Sequence, residues 1–259
     1  MTLELVVWRT LVALMFVLAA VVFVALFFKT APYDRHNKKD LKGWGPQVDN
    51  RLGWMIMEVP ASVVFLSLFA VGQHKTAPGV VFCVMYNVHY VYRGFVFPFQ
   101  LRGKTTMPLT IASFGATFNL ANAYLNARWF YTLRPEPYPV SWVTSWQFLV
   151  GFVVFYAGVA INLHSDHVTR NLRAPGDQEM RWVVPQKGLH KYVAAPNYLG
   201  EITEWCGWAL LTFSLPGLVF AVWTFANLAP RANSHWKWYR AKFGDEYPAN
   251  RKRLIPFVW

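Results

Sequence analysis

The sequence predicts an all-α, polytopic membrane protein with seven transmembrane helices, its N-terminus outside and its C-terminus in the cytoplasm. Three observations lead there. Of 259 residues, 55% are apolar and 18% aromatic, yet the formal charge is +12, a pairing that soluble domains rarely show. Apolar stretches close to the roughly 20 residues that cross a bilayer recur along the whole chain. Lys and Arg fall almost entirely in alternate connections, the distribution that marks cytoplasmic loops.

The expected spans lie at about 5–28, 52–71, 79–99, 107–125, 143–163, 198–214 and 216–229. The first is read as a span and not as a signal peptide. Leu11–Phe28 alone exceeds the roughly 7–15 apolar residues of a signal core, and no small-x-small cleavage site follows. The first connection carries Lys29, Arg35, Lys38, Lys39, Lys42 and Arg51, the third Arg102 and Lys104, and the fifth Arg170, Arg173, Arg181, Lys187 and Lys191. The tail is basic from Arg231 to Arg253, whereas the opposite connections hold only Lys75, Arg128 and Arg134. The positive charge therefore belongs to one face, beside anionic headgroups, and not to a nucleic-acid site. Cys83 and Cys206 sit inside apolar runs and are read as packing residues. Without internal repeats or a shift in composition, residues 1–259 read as one membrane-embedded domain. Its cytoplasmic elements are 29–51, 100–106, 162–197 and the C-terminal 230–259.

Polar residues gather in four clusters. "INLHSDHVTRNLRAPGD", Ile161–Asp177, continues the fifth span inward. At 100° per residue, Asn162, Asp166, Arg170 and Arg173 fall within an arc of roughly 80°, with His164 and His167 on another flank. A carboxylate, two guanidiniums and an amide on one face suit a ligand with phosphates and hydroxyls. The plainer alternative is a solvated helix end with an Asp166–Arg170 pair at i,i+4. Metal binding by His164, Asp166 and His167 lacks a matching ligand pair elsewhere in the sequence. The sixth span opens with "APNYLGEITEW", where Asn197, Glu201 and Glu204 share about 60° of arc. In the tail, Arg231, His235, Trp238 and Tyr239 form a helical stripe, which would also suit an amphipathic helix lying on the surface.

The fourth cluster lies within the membrane. Glu58 is about two turns into the second span, and Tyr86, His89, Tyr90 and Arg93 share one face of the third. A glutamate in hydrocarbon finds a partner or takes up a proton, and Tyr90 is the expected hydrogen-bond partner; a Glu58–Arg93 ion pair is the structural alternative. All four clusters belong at or just inside the cytoplasmic surface, and the outer half is nearly free of charge. A channel would distribute polarity through the bilayer, so the pattern points to a pocket open to the cytosol above an apolar chamber.

Six motifs together carry a family resemblance: "YDRH" at Tyr33–His36, "EVP" at Glu58, "HYVYR" at His89–Arg93, "INLHSDHVTRNLRAPGD", "NYLGEITEWCGWAL" and the tail "EYPANRKRLIPFVW". In these the chain closely resembles the membrane-embedded steroid 5α-reductases, over nearly its whole length. The resemblance implies reduction of the Δ4 double bond of 3-oxo-Δ4 steroids by hydride from NADPH, with Glu58 and Tyr90 at the substrate ketone. It implies cofactor contacts at Asn162, Asp166, Arg173, Asn197, Glu201, Arg231, His235 and Tyr239. Tyr33, Arg35, His36, Lys104, His164 and Arg170 of the same cytoplasmic elements join that set. The chain has "LRGK" at Leu101–Lys104 where the family often has Asn-Arg-Gly-Arg.

An independent absence agrees with this. No Gly-x-Gly-x-x-Gly turn joins a strand to a helix, and "GWG" at Gly43–Gly45 runs into Pro46, so side chains would have to hold a nicotinamide cofactor. An isoprenylcysteine-type methyltransferase would place paired acids after the C-terminal arginine, whereas Arg231 is followed by "ANSHWKWY". An enoyl-CoA or polyprenyl enone reductase and a non-catalytic sterol-binding protein stay open as alternatives. So do a bacterial inner membrane and the endoplasmic reticulum. The expected partners are the lipid bilayer and a steroid-like enone, with no metal and no obligate protein partner.

Overall fold

A computed structural model describes residues 2–32, 34–37, 43–103, 105–172 and 182–259. Tyr33, Lys104 and Arg173, expected as cofactor contacts, lie outside the described residues. Each expected apolar stretch is helical: α1 (Leu3–Phe28), α2 (Asn50–Val71), α3 (Ala77–Val91) with the short α4 (Phe97–Gln100), α5 (Leu109–Arg128), α6 (Trp146–Arg170), α7 (Pro196–Thr212) and α8 (Leu215–Phe243). Among the described residues, four helical stretches are long and apolar enough to cross a membrane: α1, α2, Ala77–Gln100 and α6. The 17 residues of α7 are fewer than a perpendicular crossing needs, and α5 and α8 interrupt their apolar runs with Asn119, Asn122 and Asn126 and with Arg231, Asn233 and His235 respectively.

Three features depart from the expected all-α pattern of uninterrupted spans. A two-stranded antiparallel ladder pairs β1 (Gln47–Asp49) with β2 (Thr106–Pro108), in the register Gln47↔Pro108, Val48↔Met107 and Asp49↔Thr106. Three-residue strands leave no alternating pattern to read. The third span is broken by a π turn, Tyr92–Val96, between α3 and α4. The seventh does not stop at 229. Instead α8 runs on through Pro230 to Phe243, because Ala232, His235 and Tyr239 are buried and packing outweighs the lost backbone hydrogen bond.

The chain forms two compact units, residues 1–12 with 31–145 and residues 13–30 with 146–259. In the first, α2 is capped by Asp49, whose carboxylate accepts from the Arg51 amide at 2.8 Å. Its aromatic interior stacks Phe65 on Tyr86 with centroids 4.0 Å apart and sets Tyr131 edge-on to Phe65. Trp8 donates to the Leu125 carbonyl at 3.0 Å, and Arg128 grips Glu4 through two bonds of 2.7 Å each.

The second unit is organised by glycines. A Cβ at Gly151 would fall on the backbone of Leu211, one at Gly158 on Glu204, one at Gly200 on Asn162 and one at Gly207 on Phe155. Both helices thus repeat glycine at a spacing of seven, and their backbones touch in antiparallel register, the small-residue packing typical of membrane helices. Phe213 in left-handed conformation and the Ser214 cap turn α7 directly into α8. Trp205 packs on Phe220 with centroids 3.9 Å apart. The tail returns beside residues 192–194, with Lys252 donating to the Tyr192 carbonyl at 2.8 Å and accepting from the Ala194 amide at 2.9 Å.

Candidate active site

In the first unit, Glu58 of α2 and Tyr90 of α3 are joined through α5. The Tyr90 hydroxyl donates to Oδ1 of Asn119 at 3.0 Å, and Nδ2 of Asn119 donates to Oε2 of Glu58 at 3.2 Å and to the Met57 carbonyl at 2.7 Å. Tyr90 is 2% exposed and Asn119 5%, so this network is shielded from water. Tyr86 lies beside Tyr90, centroids 4.6 Å apart, and its hydroxyl accepts from Asn122 at 3.3 Å. Arg93, the candidate ion-pair partner of Glu58, is sandwiched with its Cζ 4.4 Å from the ring centroids of both Trp54 and Phe97. That geometry stabilises the guanidinium by cation–π attraction. The π turn closes against α2 at Gly94, where a Cβ would lie 3.1 Å from Val59 Cγ2 and 3.6 Å from the Glu58 Cβ. π turns of this kind recur at functional sites. Arg35 and His36 belong to this unit too, half-buried in a 3-10 turn, Asp34–His36. Asn37 ties that turn to the ladder by donating to the Thr106 carbonyl at 2.7 Å.

The second unit gathers most of the remaining expected residues. Asn162, buried on α6, donates to the Asn197 carbonyl at 3.1 Å, joining the end of α6 to the start of α7. Asp166, Arg170 and Glu201 are half-buried, and His164 is exposed, its ring directly over Gly188. Gly188 has φ +56°, and a side chain there would strike the imidazole. Arg170 and Asn171 both approach the His167 ring, at 3.3 and 2.9 Å. On α8, His235 lies 3.4 Å from the Tyr198 hydroxyl, and Arg231 sits over the same tyrosine ring with its Cζ 5.8 Å from the centroid. Tyr239 stacks on Tyr247, centroids 5.3 Å apart. The stripe of the tail is therefore an interior face, not a helix lying on a surface.

Sequence reasoning missed two groups. Asn119, Asn122 and Asn126 share a face of α5 at i, i+3 and i+7, a periodicity the sequence does display. Arg251 and Arg253 entered through the charge count and the tail motif with no site role, yet Arg251 is 2% exposed, donates to Gln186 Oε1 at 2.9 Å and lies 4.9 Å from the Tyr247 ring centroid. Burial holds its guanidinium below the usual range, with Tyr247 acting against that shift. Arg253 donates to Asn233 Oδ1 at 2.8 Å. Of the two cysteines, Cys83 packs inside as expected, but Cys206 is exposed on α7.

Helices long and apolar enough to cross a membrane, two of which carry Glu58 and Tyr90 of a carboxyl–amide–phenol network, define a membrane protein with a polar site in the helical interior of its first unit. Comparison with known proteins specifies which. Residues 105–259 match the family model described as 3-oxo-5-alpha-steroid 4-dehydrogenase. The chain is 40% identical over 243 residues to steroid 5-alpha-reductase DET2 of Arabidopsis thaliana, covering 91% of this chain and 90% of that protein. It is 41% identical over 216 residues to 3-oxo-5-alpha-steroid 4-dehydrogenase 1 of Homo sapiens, covering 82% of each. The chain belongs to this family of oxidoreductases acting on CH–CH groups.

Proposed function

We propose that the protein reduces the Δ4 double bond of 3-oxo-Δ4 steroids to the 5α-reduced 3-oxo products, using NADPH. The observation that carries this reading is the Glu58–Asn119–Tyr90 network, set in an apolar bundle of a chain whose relatives bear reductase names. A carbon–carbon double bond accepts hydride poorly until its conjugated ketone is polarised. Tyr90 and Glu58 are the groups that meet the ketone oxygen, and their hydrogen bonds stabilise the negative charge that develops on it as the enolate forms. Proton delivery to the α-carbon then completes the reduction.

The donor set of the second unit fits a dinucleotide phosphate. Arg170, Arg231 and the buried Arg251 supply guanidiniums for phosphate, and no carboxylate pairs with Arg251 among the described residues. Asp166 and Glu201 offer acceptors for ribose hydroxyls, and Asn162, Asn197, His164, His235 and Tyr239 complete the set. Arg35 and His36, and Tyr33, Lys104 and Arg173 beyond the described residues, join them in this assignment. Bound there, NADPH would supply the hydride, while the chain supplies position and electrostatics. We assign the chain seven spans as a single domain, N-terminus outside, with these residues on the cytoplasmic side of a bacterial inner or endoplasmic reticulum membrane.

Arg231→Ala is expected to raise the KM for NADPH about 10- to 150-fold, the scale of one charge-assisted contact, and to leave the steroid KM nearly unchanged. Steady-state kinetics with each substrate varied in turn checks this; equal effects on both constants would remove Arg231 from the cofactor. Arg173→Ala is expected to behave in the same way. The reaction itself is tested by NADPH consumption across a panel of 3-oxo-Δ4 steroids, enoyl-CoA esters and polyprenyl enones. Turnover confined to the steroids supports the reading, and turnover of the thioesters or polyprenyl compounds alone overturns it.

A further inference from the structure

We infer that Asn119 is the positioning residue of the Glu58–Tyr90 pair, fixing both groups through one amide; this rests on the catalytic assignment proposed above. The Met57 carbonyl can only accept, so the atom 2.7 Å from it must be the amide nitrogen, and the direction of the Asn119 side chain follows from chemistry. Oδ1 therefore faces Tyr90, whose hydroxyl must donate to it at 3.0 Å. The second amide proton reaches Oε2 of Glu58 at 3.2 Å. One side chain of α5 thus connects α2 and α3, using both amide protons and the carbonyl oxygen.

Two consequences follow for the reaction. The Tyr90 hydroxyl is directed toward Asn119, with its proton a short swing from that acceptor to the ketone. The carboxyl of Glu58 is held by Oε2, so an acid proton on Glu58 resides on the other oxygen, Oε1. Asn119 accordingly decides where both donors point without itself touching substrate. The neighbouring ionisable groups are Tyr86 and His89 on α3 and Arg93 on the π turn, the last engaged by Trp54 and Phe97. Tyr86 and the amide of Asn122, which donates to the Tyr86 hydroxyl, also lie within reach of the Tyr90 hydroxyl; Asn119 differs from both in bonding Tyr90 and Glu58 at once. Misplacement of a reacting group by about 1 Å costs on the order of 10²-fold in rate, which sets the scale for losing this brace.

The test compares Asn119→Leu, Asn119→Asp and Asn126→Leu with the wild-type protein, measuring kcat, both KM values and thermal stability in detergent. Asn126 is a fully buried amide on the same helix that donates to Asn122 and serves as the structural control. Asn119→Leu should lower kcat about 10- to 100-fold with both KM values within about 3-fold of wild type. Asn119→Asp keeps the acceptor for Tyr90 and loses the donors, so its kcat should fall between Leu and wild type. Asn126→Leu should lose as much thermal stability as Asn119→Leu while keeping its kcat. If kcat falls equally in the Asn119 and Asn126 variants, or only in step with stability, Asn119 is merely structural and the inference fails. Wild-type kcat in Asn119→Leu overturns it too. A wild-type protein that reduces no enone overturns the reaction assigned above and the role of Asn119 with it.

Discussion

Tyr90→Phe should give a folded protein whose turnover of a conjugated enone is lower by about 10² or more, the usual consequence of removing one donor from a developing oxyanion. The substitution removes only an oxygen from a ring packed between Tyr86 and His89, so the bundle keeps its aromatic contacts. Glu58 separates chemistry from structure more sharply. Glu58→Gln keeps the shape, an acceptor for the Asn119 amide and a donor, and should retain part of the activity. Glu58→Ala keeps none of these and should lose nearly all of it. If Glu58 were instead the ionised partner of Arg93, both variants would strand a buried guanidinium and cost about 3–5 kcal/mol of stability. The position of Arg93 between Trp54 and Phe97 favours the first outcome, because the cation keeps its aromatic partners in either variant. Thermal unfolding in detergent beside turnover decides between them. Stability lost in parallel with activity would move Glu58 from the reaction to the scaffold.

Gly158→Ala should be the most damaging of the small substitutions. Its Cβ would fall on the backbone of Glu204 and lie 2.6 Å from the Gly200 carbonyl, so two helices must separate to admit one methyl group. Separation pulls Asn162 from the Asn197 carbonyl and opens the packing of Phe155 on Trp205 and Trp208. Overpacking of ordinary cores costs about 1–3 kcal/mol, and backbone against backbone has no rotamer through which to relax. Gly53→Ala is the informative comparison, since the nearest atoms to its Cβ all belong to the flexible Met107 side chain. We expect Gly53→Ala to purify normally and Gly158→Ala to be lost or to melt far lower, as size-exclusion profiles and thermal scans will show. Equal behaviour of the two would mean that α6 and α7 are less tightly joined than the glycine register requires.

The helices were legible because an apolar run near membrane length is a strong, local signal, and all seven expected stretches are helical. What the sequence concealed has particular causes. Pro230 reads as a helix end, but burial of Ala229, Ala232, His235 and Tyr239 carries α8 past it. The π turn after Val91 adds a residue to one turn without changing composition, and no pattern in the sequence announced it or the seat of Arg93 between Trp54 and Phe97. Glu58 and Tyr90 stood out as candidates because charge and hydroxyls are conspicuous in hydrocarbon, and the structure links them through Asn119. Asn119 was passed over because a single amide barely lowers the apolarity of a span, although its spacing with Asn122 and Asn126 was there to be read. The glycines at 151, 158, 200 and 207 escaped notice for a related reason, since their meaning lies in two helices at once and appears only when the helices are paired.

Activation of a steroid enone by the Glu58–Asn119–Tyr90 network is the proposal on which the catalytic roles of Glu58 and Tyr90 stand. Its most direct test is the mass and structure of the product formed when the purified protein is incubated with NADPH and a 3-oxo-Δ4 steroid, beside Tyr90→Phe. We predict a product heavier by two hydrogens, saturated at C4–C5 with its ketone intact and 5α in configuration, formed at least about 10²-fold more slowly by the variant. Recovery of unchanged steroid from the wild-type protein, or reduction at the ketone in place of the double bond, would contradict the account.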